Sequence, residues 1–502
     1  MTRAKHPFVW MVALAALGAV AACAVGPNFK RPAPPADSGY GNAGPAPNVA
    51  FGGGSDHAAQ RLVSDADIPS QWWRVFQSER LNRLVEESLR ANPNLAAAEQ
   101  SLRQTRELFL AQRASLWPGF QGGASASRAR NPDVSLANPT VAQSPVYSLY
   151  TAQLSLSFTP DVFGGGRRAV ESAKAAVEVS RFEYEAAYIT LASNVVVAAV
   201  QDASLREQLA AVERLRDVQH QLTDTVRKQR GFGTASELDL LTQLAADAQT
   251  AVLVPPLEKQ LGQNRDALTA LLGRLPAAEP SDTFRLDDLV IPPDLPVAIP
   301  AKLVEQRPDV RQAEASLHQA SAQAGVALAA MLPQFEITGD VGSTALAFKQ
   351  LFKPYTGFWD AGASLTQSLF DAGALLHRKR AADAALDAAG SQYRAAVILA
   401  FQNVADTLRA LKSDADAADA SADSRRSTRA AFELARRQRE VGAISEVALL
   451  AAEQTYLQAE IGWIQARASR LADVAALYQA LGGGWWNRDQ KESHGRADPS
   501  GE

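Results

Sequence analysis

The sequence predicts an α plus membrane-β chain built twice from one long unit. Each unit carries a pair of amphipathic strands followed by a very long helical hairpin, giving four strands per chain. Three observations predict it. First, Arg227-x-Gln229-Arg230-x-x-Gly233-x-x-Ser236-Glu237-x-x-Leu240-Leu241 returns as Arg436-x-Gln438-Arg439-x-x-Gly442-x-x-Ser445-Glu446-x-x-Leu449-Leu450, an offset of 209 (Arg227 to Arg436). Asn194-Val195 and Leu272-Gly273 return at the same spacing as Asn403-Val404 and Leu481-Gly482. Pro93, Glu99, Leu102, Pro118 and Phe120 return as Pro308, Glu314, Leu317, Pro333 and Phe335, an offset of 215 (Pro93 to Pro308). Second, short segments alternate apolar and polar residues with period two, the mark of a strand. Third, runs of some 60 residues place apolar side chains at steps of three and four, the spacing of packed long helices.

In chain order, residues 1–22 read as a signal peptide, with Arg3, Lys5 and His6 ahead of an apolar run from Phe8 to Val20. That run is shorter than the ~20 residues a spanning helix needs. Val20-Ala21-Ala22-Cys23 resembles a bacterial lipobox. The resemblance implies that Cys23, the only cysteine, carries a covalent lipid (diacylglycerol and palmitate). Ala24 follows it, with no Asp to retain the protein in the inner membrane. Residues 23–66 are rich in Pro, Gly, Ala and Ser and read as a lipid-anchored extended linker, with a reach on the order of 100 Å.

The first repeat spans 67–290. A helical section begins near Trp72-Trp73, is interrupted at Asn92-Pro93 and stops at Pro118. A β-hairpin follows at about 119–159: a weaker strand from Phe120 to Arg128, then Tyr150, Ala152, Leu154, Leu156 and Phe158 alternating with Thr151, Gln153, Ser155, Ser157 and Thr159. The loop is Asn131–Ser144. A long helical hairpin covers about 167–273, turning near Gly231, its returning arm broken at Pro255-Pro256. The second repeat spans 291–484. Its β-hairpin lies at about 334–370, with the loop at Ser343–Thr356, and its helical hairpin at about 374–481. A disordered tail is expected over 485–502. Apart from the signal peptide, no run of ~18 apolar residues appears; Ala186 to Gln201 lacks charge but is interrupted by Thr190, Ser193 and Asn194.

Strands of ~9–11 residues fit a membrane barrel. Four cannot close one, and an open edge in lipid leaves backbone groups unsatisfied. Several chains must therefore share the barrel, and the helical hairpins continue it as a conduit. A soluble antiparallel sheet would show the same local pattern.

The net charge of −4 gives no pointer to nucleic acid. There is no Gly-Lys dipeptide for a P-loop, and neither Gly-x-Ser-x-Gly nor His-Glu-x-x-His occurs. The six histidines are scattered. No catalytic residue, metal site or cofactor is expected. Gly164-Gly165-Gly166 reads as a strand-to-helix turn, and Asp414 and Asp416 as a solvated or lumen face.

The chain resembles an outer membrane factor of the TolC family, of the NodT type of efflux outer-membrane lipoproteins. The motifs are Cys23-Ala24-Val25-Gly26-Pro27-Asn28-Phe29-Lys30-Arg31-Pro32, Trp72-Trp73, Asn92-Pro93-Asn94-Leu95, Arg307-Pro308-Asp309-Val310, the two Gly-x-x-Ser turns and Leu481-Gly482-Gly483-Gly484-Trp485. They span essentially the whole mature chain. The resemblance implies a homotrimer in the outer membrane with one 12-strand β-barrel and a periplasmic α-helical tunnel. It implies docking to a periplasmic adaptor (membrane fusion protein) and an inner-membrane pump of the resistance-nodulation-division type. The alternatives are the exit duct of a type I protein secretion system and a lipid-tethered periplasmic coiled-coil protein. Read from the residues, Gly233 and Gly442 cap helices and Ser236 and Ser445 start the returning ones. By the resemblance, Gly231, Gly233, Thr234, Ser236, Val441, Gly442, Ala443 and Ser445 form the adaptor-docking tips. Arg227, Arg230, Arg436 and Arg439 are candidates for a basic gate, where some relatives carry an acidic residue in place of Arg436.

Overall fold

The computed structural model describes residues 24–33, 40, 50–53, 59–130, 146–281, 283–297 and 300–488. The signal peptide, Cys23, the Asn131–Ser144 loop and the tail beyond 488 lie outside the described residues. In chain order the elements are β1 (Ala50–Phe51), β2 (Gln60–Ser64), α1 (Glu79–Ala91), α2 (Pro93–Ala114), β3 (Gly119–Arg130), β4 (Val146–Phe158), α3 (Gly165–Gly231), α4 (Glu237–Ala251), α5 (Val254–Leu271), β5 (Asp294–Val297), α6 (Pro300–Gln306), α7 (Pro308–Ala329), β6 (Gln334–Ala345), β7 (Gly357–Thr366), α8 (Ala374–Glu440) and α9 (Glu446–Ala480). The chain divides into two compact units: Met1–Pro32, Leu102–Ser180 and Ala313–Tyr393 form one, the remainder the other.

The first unit holds an antiparallel sheet ordered β3-β4-β6-β7. Its register sorts the side chains as the alternation predicts. Phe120, Leu156, Gly339 and Ala361 lie in one row, and Gly122, Leu154, Val341 and Trp359 in the next. Phe120, Leu154, Val341 and Trp359 are all exposed, so this is an apolar face with nothing from its own chain over it. The opposite face is polar and internally bonded. Ser155 Oγ donates to Asp340 Oδ1 at 2.5 Å, Gln153 Nε2 donates to Ser155 Oγ at 3.1 Å, and the Thr151 and Thr344 hydroxyls meet at 3.1 Å. β6 runs on to Ala345, so the loop before β7 is shorter than expected. Ser343, placed in that loop by sequence, meets the Thr356 hydroxyl at 2.7 Å and accepts from the Phe352 amide.

The strand-to-helix turns are capped by carboxylates. Asp161 accepts from the Gly166 and Arg167 amides at 2.9 and 2.8 Å; Asp371 accepts from Gly373 and Leu375 at 2.9 and 2.7 Å. The amides of the Gly164–Gly166 turn thus face a carboxylate, which settles it as a helix start rather than a phosphate cradle.

In the second unit the duplication reaches individual hydrogen bonds. Asn92 Nδ2 donates to the Leu271 carbonyl at 3.0 Å. At the equivalent place Arg307 Nη1 donates to the Ala480 carbonyl at 2.8 Å. Each therefore satisfies a carbonyl at the C-terminus of a returning helix, where no intrahelical donor remains. Gly273 and Gly482 follow at φ +71° and +94°; a Cβ there would lie 2.4 Å from the Ala91 carbonyl oxygen and 2.9 Å from that of Gln306. The Asn-Pro, Arg-Pro and Leu-Gly motifs are thus two halves of one closure, made twice.

α3 and α8 are each 67 residues long. The first returning arm is split into α4 and α5 around Val252-Leu253, just ahead of Pro255-Pro256, whereas α9 is continuous. Leu215, Val218 and Leu222 of α3 pack with Leu450 and Leu457 of α9, so the second hairpin's return seals the first hairpin's outgoing helix. α3 contains an 18-residue window with a mean hydropathy of 1.3, long and apolar enough to cross a membrane. The window is 61% buried, with Val195, Val196, Ala199 and Val200 in the core, so it reads as core helix.

Two sequence expectations are corrected. Residues 23–66 are not simply an extended linker, because β2 pairs in parallel with β5 and antiparallel with β1. Four- and five-residue strands with Pro at one position leave too little alternation to detect. The tail begins later than 485: Trp485–Asn487 forms a 3-10 turn, and Arg488 pairs with Glu185 at 2.5 Å and lies 4.3 Å over the Tyr188 ring.

One buried pair carries a pH prediction. Asp473 of α9 is hydrogen-bonded to Asp414 of α8; burial, then the Asp414 charge, push its pKa up to about 7. Asp414 is half-buried, and Asp416 is exposed and pairs with Lys412 at 2.7 Å. With the folded pKa above the unfolded value, the native state keeps a proton that the unfolded chain loses near pH 4. Stability therefore falls as pH rises from about 4 to 7. Asp473→Asn should raise the unfolding midpoint at pH 8 and change little at pH 4. Equal effects at both pH values in denaturant titrations would refute the assignment.

Candidate functional site

The two helix-hairpin turns are near-copies. At the first, the Gly233 amide donates to the Arg230 carbonyl at 2.9 Å and the Thr234 amide to the Gln229 carbonyl at 2.9 Å. At the second, Gly442 donates to Arg439 at 3.0 Å and Ala443 to Gln438 at 2.8 Å. This is the Schellman pattern, which needs a left-handed residue at its glycine position; φ is +73° at Gly233 and +75° at Gly442. Ser236 and Ser445 then cap the returning helices, Ser236 Oγ accepting from the Asp239 amide and Ser445 Oγ from that of Ala448. Only the first turn has a full capping box, because Asp239 returns its carboxylate to the Ser236 amide. Those bonds from Ser236 hold the Asp239 carboxyl below the usual range.

Of the four arginines proposed as a gate, two tie their own turns. Arg230 pairs with Glu237 at 2.5 Å and Arg439 with Glu446 at 2.7 Å, equivalent pairs in the two repeats, each exposed and worth only ~0.2–1 kcal/mol. Arg227 pairs with Asp224 one turn back on its own helix. Arg436 is exposed.

Sequence reasoning missed Phe232. It is 84% exposed, and its counterpart Val441 is 80% exposed. Each turn therefore presents one bare apolar side chain beside its glycine. A signal was available, since both are apolar residues between a basic cluster and a φ > 0 glycine. A single exposed apolar side chain is ordinary; what sets these two apart is that the repeat puts one at the same place in each turn. Around Gly233 and Gly442 an added Cβ would meet nothing within 4 Å.

The segment just after Cys23 is held to the first unit. The Val25 amide donates to the Phe163 carbonyl at 3.0 Å. Arg168 donates to the Val25 carbonyl at 3.2 Å and the Asn28 side chain at 2.6 Å. Phe29 stacks on His318 at 4.3 Å, and Arg31 pairs with Glu314 at 3.1 Å. Gly26 meets Gly325 so closely that a Cβ would lie 2.5 Å from the facing Cα. Residues 24–31 are thus a strap ending at the β4-to-α3 turn. The 100 Å reach expected of the linker is not available to residues 24–31. Among the described residues, no group of three or more His, Cys, Asp and Glu side chains is placed to hold a metal ion.

The profile of the family described as Outer membrane efflux protein matches residues 84–274 and 299–483. The chain is 31% identical over 430 residues to the pyoverdine export outer membrane protein OpmQ of Pseudomonas putida, across 83% of this chain and 89% of that protein. It is 29% identical over 491 residues to the outer membrane protein OprJ of Pseudomonas aeruginosa, across 96% and 97%. Among solved structures, the outer-membrane channel OprN superposes with a TM-score of 0.78 at 28% identity, covering 92% of this chain and 100% of that one. The Campylobacter jejuni CmeC outer membrane channel superposes at 0.80 over 94% and 97%, and at 22% identity it speaks to the fold.

Proposed function

Because the chain belongs to the outer membrane efflux protein family, we propose that it is the outer-membrane channel of a tripartite efflux pump. It passes small molecules from an inner-membrane pump and a periplasmic adaptor to the outside. The observation that carries this is the β3-β4-β6-β7 sheet, with one bare apolar face, one bonded polar face and two open edges. Each unsatisfied backbone group in lipid costs several kcal/mol. Three copies supply twelve strands, within the size range of closed membrane barrels, with Thr151, Gln153 and Ser155 facing the lumen. Relatives are named for pyoverdine, toluene and antibiotic export. Such unlike cargoes fit a conduit that does not itself choose, with selection left to the pump.

The turns at 231–236 and 441–445 are the adaptor-docking tips, with Phe232 and Val441 as their apolar contacts. Arg227, Arg230 and Arg439 pair with Asp224, Glu237 and Glu446, and among the described residues no carboxylate is paired with the exposed Arg436, so it is the member of the basic set we assign to closure. Single-channel recording of the purified assembly in a planar bilayer tests conduction and closure. The wild type should conduct in brief openings, and Arg436→Ala should open more often. A protein that never conducts, with or without the substitution, is not a channel.

Cys23 carries the lipid in this reading, which the lipobox-like Val20-Ala21-Ala22-Cys23 supports. The barrel supplies its own anchoring, so Cys23→Ser behind a conventional signal peptide should still give assembled protein in the outer membrane. Recovery only as a soluble monomer would show that the strands do not span.

A further inference from the structure

Away from the tips and the sheet, the second unit contains a cavity of about 910 Å³ between α8, α9 and the segment from Arg285 to Ile291. Six arginines line it against four carboxylates. Most of these are matched: Arg467 pairs with Asp287 at 2.5 Å, Arg425 with Glu460 at 3.3 Å, and Arg429 with Glu433 at 3.0 Å. Arg425 and Arg467 also lie 4.0 and 5.3 Å from the centre of the Trp463 ring.

Arg470 is different. It is 1% exposed, and its Nε donates to Gln60 Oε1 at 2.9 Å. Gln60, also 1% exposed, is itself fixed by donating to the Pro292 carbonyl at 3.1 Å. Arg470 Nη1 and Nη2 are buried and have no hydrogen-bond partner. A guanidinium has five donors and cannot discharge by losing its proton, so a buried fork with both Nη groups unmatched is costly unless an acceptor enters. Burial pulls against its charged form, with Asp419 the charge that supports it. The fork geometry suits two oxygens of one planar or tetrahedral group.

The geometry points to a binding site for a small oxyanion, a phosphate or carboxylate group, held by Arg470 where it lines this cavity together with Arg467 and Arg425. The anion joins α8, α9 and the Arg285–Ile291 segment through one charge, so its binding stiffens all three. The matched pairs keep the rim close to neutral, so selectivity comes from the buried fork rather than from a general positive field.

The test uses the full, assembled protein in detergent at constant ionic strength, with inorganic phosphate and citrate as probes and chloride as control. Isothermal titration calorimetry should show phosphate or citrate binding that chloride does not compete away, and the unfolding temperature should rise with probe concentration. Arg470→Met should weaken binding at least tenfold, and Arg426→Gln at the exposed rim of the cavity only about threefold. Where Arg470→Met fails to assemble, Arg470→Lys, which keeps the charge but not the fork, should assemble and still lose at least tenfold. No uptake by the wild type overturns the proposal. If the absence of uptake accompanies loss of assembly in Arg470→Met, the acceptor is a carboxylate of a neighbouring copy. Equal affinity in the Arg470 and Arg426 variants would also overturn it, by placing the anion elsewhere.

Discussion

Leu156→Arg should lower assembly severalfold, whereas Ser155→Arg, one residue earlier, should leave it nearly intact. Leu156 lies on the apolar face, between Phe120 on one neighbouring strand and Gly339 on the other. A midplane arginine on the lipid face of a barrel costs ~2–4 kcal/mol. Leu156 lies two residues from the end of β4, so the cost there is below the midplane value, but in a homotrimer each substitution is present three times. Ser155 faces the other way, and its hydroxyl already donates to Asp340. An arginine there would meet that carboxylate across a wet lumen, at little cost. Outer-membrane fractionation followed by unheated electrophoresis reads the outcome as the amount of trimer. Equal losses would show that the register is wrong by one residue, since a one-residue slip exchanges the two faces.

The contrast between these two positions is legible in the residue pattern alone, and the reason is physical. Membrane strands repeat with period two over ten or more residues, long enough for Tyr150 to Thr159 to stand out. The tips are legible because glycine at positive φ and a capping serine are local devices, and the duplication prints each of them twice. What the sequence hides depends on distant partners. Arg307 and Asn92 share no chemistry beyond a donor, so their common role at the Ala480 and Leu271 carbonyls emerges only once the returning helices are in place. The Ala24–Arg31 strap is composed like a linker, and it becomes a fixed element through partners more than a hundred residues away, Arg168 and His318 among them. The β1-β2-β5 sheet is too short to carry a period. Phe232 escapes for a different reason. It shares no side-chain type with Val441, and only the 209-residue offset leads from one to the other.

That pairing of Phe232 with Val441 sharpens the second large effect. Gly442→Asp should sensitise cells to the pump's substrates as strongly as deletion of the channel, with normal amounts of assembled protein in the outer membrane. The substitution strikes where the chain can bear it but a partner cannot. An added Cβ meets nothing of this chain within 4 Å. The left-handed conformation at φ +75° costs a non-glycine residue ~1–2 kcal/mol, which α8 and α9, anchored along their length, can absorb. A docking surface has less margin: the turn shape shifts, and a carboxylate appears beside the bare Val441 side chain and the Arg439–Glu446 pair. Desolvating that carboxylate against an apolar contact would remove most of the interaction. Gly442→Ala separates shape from charge, since it keeps the strain without the carboxylate and should leave most efflux in place. Gly233→Asp should act like Gly442→Asp if both turns dock, and more weakly if the second turn makes the main contact. Substrate susceptibility, read beside trimer level and crosslinking to the adaptor, decides the matter. Intact efflux in Gly442→Asp with normal crosslinking would remove this turn from the docking site.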